Sequence, residues 1–343
     1  MSTTRSRWIR WPMAMAVATL AGVTGCGGGG GGGDGGEPTV AFATLTTGNM
    51  EAASHAAVAA PFGLGVTSVA QIAGGPGSTP LGLGSPTVRS RVLGTLLGTA
   101  QRDRMRIAAA TVRPLTLYPY PPVACAVAGT VSMAIDDRDN SGSETIGDVV
   151  TFAFDHCQDT AREVIDGSIA IELSRLEPTA VGGTMTMSRL STAATDGRHA
   201  ITIDGALRLD YAETSAWTDW MRTTAEGEVT VTVHTHRFDD TVVMLPGYFQ
   251  ESTYDSLRQQ GSSRFTGTFR SAAVGGLLQV ETDPPFVDRE SDDYPMSGGL
   301  KVKGQTGTMI VRSLSASDVR IELDHNDCGT AEVMQTESWD WLI

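Results

Sequence analysis

From Val123 onward, apolar and polar residues alternate along the chain. Ile201, Ile203, Leu207, Leu209 and Tyr211 interleave with Thr202, Asp204, Ala206, Arg208 and Asp210. Val229, Val231 and Val233 interleave with Thr230, Thr232 and His234, and Val319, Ile321 and Leu323 with Arg320 and Glu322. A period of two with one apolar face predicts half-buried antiparallel strands. Residues 40–117 read differently, rich in Ala, Gly, Leu and Thr and poor in aromatics. The spacing predicts one helix over Asn49–Ala60, with Asn49 as N-cap and Pro61 as its stop. A second helix is predicted over Pro86–Ala110. Ser85 caps it, Pro86 suits the first turn, and Val88, Val92, Leu96 and Ala100 share a face with Leu93 and Leu97. The stretch "YPYPP" at 118–122 reads as a stiff extended linker. The expected organisation is therefore a helical segment over 40–122 and an antiparallel β domain over 123–343.

A repeat runs through the strands. "VAGTVSM" (127–133), "IDGSIAI" (165–171), "VGGTMTM" (181–187), "IDGALRL" (203–209), "FTGTFRS" (265–271) and "MSGGLKV" (296–302) each place glycine two residues before an apolar position. "AEGEVTV" (225–231) and "QTGTMIV" (305–311) are weaker copies. Their irregular spacing is not that of a solenoid. Glycine inside a strand marks a bend, a bulge or a close backbone approach, and bends repeated strand after strand curl a sheet. The expected fold is mainly β: a large curled antiparallel sheet, half-barrel or barrel-like, with two N-terminal helices.

The first residues add an address. Arg5, Arg7 and Arg10 precede an apolar run from Met13 to Val23, and no acidic residue comes before Asp34. A basic start, a short apolar core and small residues at its end predict a secretory signal over 1–25. The run is too short to span a bilayer, which needs about 20 apolar residues. Its end, Val23-Thr24-Gly25-Cys26, resembles the lipobox of bacterial lipoproteins. That resemblance implies cleavage before Cys26 and acylation of its sulfur and amino group. Gly27 to Gly36, interrupted only by Asp34, is a coil with no side chains to pack, so residues 26–39 read as a tether. Gly27, rather than an Asp, follows the cysteine. The resemblance then implies the outer membrane, and so a lipid-anchored protein of the cell envelope. Over much of 120–343 the cysteine-flanked acidic hairpin and the glycine-marked strands are similar to proteobacterial envelope lipoproteins, a resemblance that brings no known activity.

Charge narrows the partners. The chain carries 39 acidic against 25 basic residues, and loss of the three leader arginines moves its net charge from −14 to −17. Such a body repels phosphate backbones, so the expected partner is the membrane through the anchor and not nucleic acid. With Cys26 acylated, Cys125, Cys157 and Cys328 remain. An exported compartment permits disulfides. If 125–157 folds as a hairpin about Ser141, Cys125 lies opposite Cys157 within disulfide range. That register puts Val131 and Met133 on the side of Thr151 and Val149, and Phe152 and Phe154 on the other, so either both faces are covered or a bulge shifts the pairing.

The tip of that hairpin holds the candidate chemistry. Asp137, Asp139, Ser141, Gly142 and Ser143 match the start of a calcium loop, and Asp148 falls at its twelfth position. Its flanks read as strands, so the expectation is a calcium-binding hairpin loop rather than an EF-hand, with a solvated acidic turn as the alternative. "DHNDCGTAE" (324–332) echoes it, but with Cys328 at a ligand position it reads as a turn. His234 and His236 fall on one strand face without a third zinc ligand. No G-x-S-x-G, H-E-x-x-H, P-loop or C-x-x-C motif is present. "SWDWLI" alternates Trp339 and Trp341 as a closing strand would. The expected function is binding or structural without catalysis, with a carrier of lipid or another apolar ligand as one version. Such a carrier would resemble the lipoprotein-carrier fold in outline. The alternative is an envelope hydrolase built on His234, His236 and a carboxylate from the next strand.

Overall fold

A computed structural model describes residues 40–66, 117–119, 121–125, 127–141, 145–158, 163–177, 179–197, 199–215, 217–289, 292 and 294–342. The expected signal, Cys26, the glycine tether, the helix over 86–110 and Ser143 lie outside these. The described residues from Val40 onward belong to one unit.

Among the described residues, eighteen strands form one sheet. They are β1 (Leu117–Pro119), β2 (Val123–Ala124), β3 (Ala128–Asp136), β4 (Val149–Gln158), β5 (Glu163–Glu177), β6 (Ala180–Ala194), β7 (His199–Ser215), β8 (Thr218–Ala225) and β9 (Val229–Thr235). Then come β10 (Asp239–Met244), β11 (Phe249–Asp255), β12 (Gln260–Ser271), β13 (Gly276–Thr282), β14 (Phe286–Arg289), β15 (Gly299–Lys303), β16 (Thr308–Ser313), β17 (Asp318–Asp324) and β18 (Val333–Ser338). Pairing is antiparallel throughout and follows chain order. Long β7 takes both β8 and β9 as partners, and β12 takes both β10 and β11 on one side and β13 and β14 on the other. Each of those pairs is thus one interrupted row, and β1 and β2 do the same against β3. The sheet is an up-and-down meander, as the period-two alternation predicts.

One face is mainly apolar. Val229, Val231 and Val233 of β9, and Val319, Ile321 and Leu323 of β17, are buried at 0–5 % exposure while Thr232 and His234 face out. These faces join one core around α1 (Met50–Val66). The chain enters through Ala41–Leu45, which bonds to Leu277 and to the Gln305–Thr306 turn. The helix then packs on β7, β9, β10, β12 and β16, rows far apart in the meander, so the sheet wraps round it. This explains its composition. Six consecutive residues, Ala53 to Val58, are buried. A helix buried on every side carries no polar stripe, and alanine lets the strands approach closely.

Two expectations are corrected here. Pro61 does not stop α1, which continues to Val66 with the proline inside it. A proline costs the helix one hydrogen bond, and a helix enclosed by strands tolerates that loss. Asn49 stands where the helix begins, since its carbonyl accepts from Ala53 N–H, but its side chain turns back to the Thr46 N–H and Thr44 carbonyl. "WDWL" is not a strand but a helical turn, α2 (Trp339–Leu342). Trp339 is fully buried against Phe286 and Tyr294, and its indole N–H donates to the Ser315 carbonyl.

The glycine repeat marks a crease. Gly129 of β3 sits at a bulge opposite His156 of β4, and Gly167 of β5 pairs with Phe154 beside that bulge and meets Arg189 of β6. Arg189 in turn marks the bulge against Gly205 of β7. The line continues through the breaks between β8 and β9 and between β10 and β11, then Gly267 and Gly298, which lie against Tyr248 and Phe286. At Gly129 and Gly167 φ is +76° and +100°, and a Cβ would stand 2.0 and 2.2 Å from a carbonyl oxygen of the facing strand. No L-residue fits there. Gly183, the remaining strong copy, faces a separate bulge at Ser174. The "I-D-G" copies carry a further device. His156 and Arg189 adopt positive φ, and their N–H groups donate to Asp166 and Asp204 at 2.7 and 2.6 Å. The aspartate before the glycine thus clasps the bulge on the neighbouring strand.

Candidate functional site

The bulge at Gly129 and His156 settles the register of the cysteine hairpin. Val131, Met133 and Ile135 pair with Phe154, Phe152 and Val150, so the apolar residues share one face. Of the two possibilities left open by the sequence, a bulge holds. Cys125 and Cys157 are bonded, with Cα atoms 5.5 Å apart. They are not opposite in a symmetric hairpin: Cys125 ends the β2 row and reaches across β3 to Cys157. Cys328 is a free, exposed thiol.

At the other end of the hairpin, Asp137, Asp139 and Asp148 converge. One carboxylate oxygen from each lies within 4.8 Å of the others. Asp137 and Asp148 are buried, at 0 and 1 % exposure, while Asp139 is exposed. Backbone donors hold them. Ser141 N–H donates to Asp137 and Asp139, Arg138 N–H and Thr145 N–H to Asp148, and Thr145 Oγ1 to Asp139 at 2.8 Å. The Thr145 hydroxyl, with that of Ser141, holds the Asp139 carboxyl down at about 2. Gathered oxygen ligands of this kind suit calcium, which binds oxygens at about 2.3–2.6 Å. Arg138, the nearby cation, is turned to Asp136 and Glu172.

The 324–332 loop repeats this geometry. Asp324 and Asn326 both accept from Cys328 N–H at 3.0 Å, as Asp137 and Asp139 do from Ser141, and Asp327 and Asn140 share positive φ. The resemblance of the two stretches is therefore one of backbone shape. Glu332 takes the place of the distant Asp148 as third member of the group, within 4.8 Å of Asp324 and Cys328.

The two histidines do not form a shared site. His234 Nδ1 pairs with Asp239 on β10, whereas His236 lies in the following turn and accepts from Arg237 Nε. The groups of metal-ligating side chains among the described residues do not include them.

Two interior features carry no signal in the pattern of the chain. His55 of α1, 3 % exposed, is sandwiched between Phe238 and Trp341 at 4.8 and 4.9 Å between ring centres. Burial lowers its pKa below the usual 6.5, and Nε2 has no partner. Second, Thr223, Gln250, Ser252 and Ser263 occupy inward positions where alternation calls for apolar residues. No protein-family model, curated protein or solved structure matches the chain.

Proposed function

We propose that this chain is a lipid-anchored protein of the outer membrane, held by acylated Cys26, whose β body acts by binding or as structure rather than by catalysis. The observation that carries the reading is the lipobox-like Val23-Thr24-Gly25-Cys26 at the end of a basic, then apolar, leader. The Cys125–Cys157 bond supports it, because stable disulfides belong to exported compartments. One acyl chain anchors only marginally and several anchor firmly. Fractionation of cells expressing the wild type and Cys26→Ser tests the reading. The wild type is expected in the membrane fraction and Cys26→Ser in the soluble one; equal membrane association of both would refute it.

A carrier of lipid or another apolar ligand needs an open apolar concave face. α1 packs on that face against β7, β9, β10, β12 and β16, so a lipid-carrier version requires the helix to leave. The hydrolase alternative rests on the exposed His234–Asp239 pair, which has the geometry of a base and its orienting group.

The acidic hairpin supports a calcium site as part of this binding role. Asp137, Asp139 and Asp148 would hold the ion, which would offset three like charges and cross-link β3 to β4. Titrating calcium into the purified protein and following its melting temperature checks this. A rise of about 2–4 °C is expected at saturation and is lost in Asp148→Asn. An unchanged melting temperature in millimolar calcium would leave the loop a solvated turn.

A further inference from the structure

The inner face of the sheet changes character beyond the crease. Elsewhere it is mainly Ile, Leu, Val, Met and Phe, with Asp240, Ser271 and Ser313 buried but hydrogen-bonded, whereas one stretch of β8, β11 and β12 carries Thr223, Gln250, Ser252 and Ser263. They are 4, 2, 5 and 4 % exposed, and Thr223 Oγ1, Gln250 Nε2, Ser252 Oγ and Ser263 Oγ have no hydrogen-bond partner. Register makes them one patch. Thr223 is directly opposite Gln250, Ser252 is directly opposite Ser263, and Gln250 and Ser252 are two apart on one strand. Opposed side chains on one face stand about 5 Å apart. Asp288 extends the patch, since its carboxylate lies over Gly261, 2.6 Å from where a Cβ would be. Phe265 faces Gln250, Phe286 faces Ser263 and Leu209 faces Thr223, so the patch has apolar borders.

A sheet built only for stability would place apolar side chains here, as its neighbours do. Local departures from the pattern of a fold collect where function demands them, and buried polar groups call for partners. We propose that this face binds a neutral polyhydroxylated molecule, a sugar or polyol unit. Three hydroxyls that each donate or accept, beside an amide donor, match alternating ligand hydroxyls. A lipid chain would leave all four groups unpaired. An anion would meet no buried basic side chain among the described residues of this face and would sit near the Asp288 carboxylate. The aromatic borders suit the C–H faces of a sugar ring. The proposal deepens the binding reading above, and it fails separately from it, because the anchor stands whether or not a sugar binds.

The test is a melting-temperature titration of the intact, disulfide-bonded protein with glucose, N-acetylglucosamine, trehalose and glycerol, with sulfate and laurate as charged and apolar controls. At least one neutral compound is expected to give a saturable rise of about 2–4 °C, with no rise from either control. The double variant Thr223→Val/Ser252→Ala keeps the shape of the patch and removes two of its hydroxyls. It is expected to melt no lower than the wild type and to lose the response. Should the double variant unfold, Ser263→Ala alone is expected to weaken the response at least tenfold. No saturable rise with any neutral compound would overturn the proposal, the groups then being met by ordered water only. A response that survives the substitutions, or one shared with laurate or sulfate, would also overturn it.

Discussion

Single residues set the curvature of this sheet. Gly167 has φ +100° and no room for a Cβ, whereas Gly197 in the β6–β7 turn has φ +70° and nothing within 4 Å. The two separate crowding from backbone preference. Gly167→Ala is expected to lower unfolding free energy by roughly 2–4 kcal/mol, through strain and displacement of the Arg189 carbonyl. Gly197→Ala is expected to cost about 1 kcal/mol, the left-handed penalty alone. Urea unfolding measures both, and equal losses would mean the crease glycine is only a turn residue. Much of this was legible. The repeated glycine before an apolar pair is a visible signal, and five of its six strong copies fall on the crease. The aspartates of "I-D-G" were not legible as clasps, because their partners His156 and Arg189 lie on a neighbouring strand and carry no mark of positive φ.

At the scale of elements, α1 is the unusual part. It is a short alanine-rich helix in which, among the side chains described, Glu51 alone is exposed, and it brings an imidazole into a hydrophobic sandwich. His55 titrates below its ordinary 6.5 because burial disfavours the charged ring; Arg237 acts in the same direction, while the Leu342 backbone and Glu51 oppose it. The sign follows from linkage. In the window below 6.5 the unfolded chain binds a proton that the folded one refuses, so stability is full above that pH and falls as pH drops through it. Melting at about pH 7.5 and about pH 5.5 should show a larger loss for the wild type than for His55→Phe. An equal loss would mean the ring is protonated in place. The helix start at Asn49 could be read from the sequence, but its length could not. Pro61 is a stop in an isolated helix, and only the enclosing strands override it. Trp339 and Trp341 misled in the opposite sense, since two aromatics two apart fit a strand and a helical turn alike over four residues.

For the whole molecule, the sheet class and its curl follow from local pattern, and the candidate site only in part. The Asp137–Asp148 hairpin was recognisable because its carboxylates are close in sequence. The inward polar patch was not, because Thr223, Gln250, Ser252 and Ser263 meet only through register, and each alone is an ordinary strand residue. Everything proposed about place and role rests on cleavage before Cys26 and its acylation. Intact-mass measurement of protein extracted from membranes tests it most directly. The account predicts a chain starting at Cys26 and carrying the added mass of its acyl groups; an unmodified start, or a start at another residue, would contradict it.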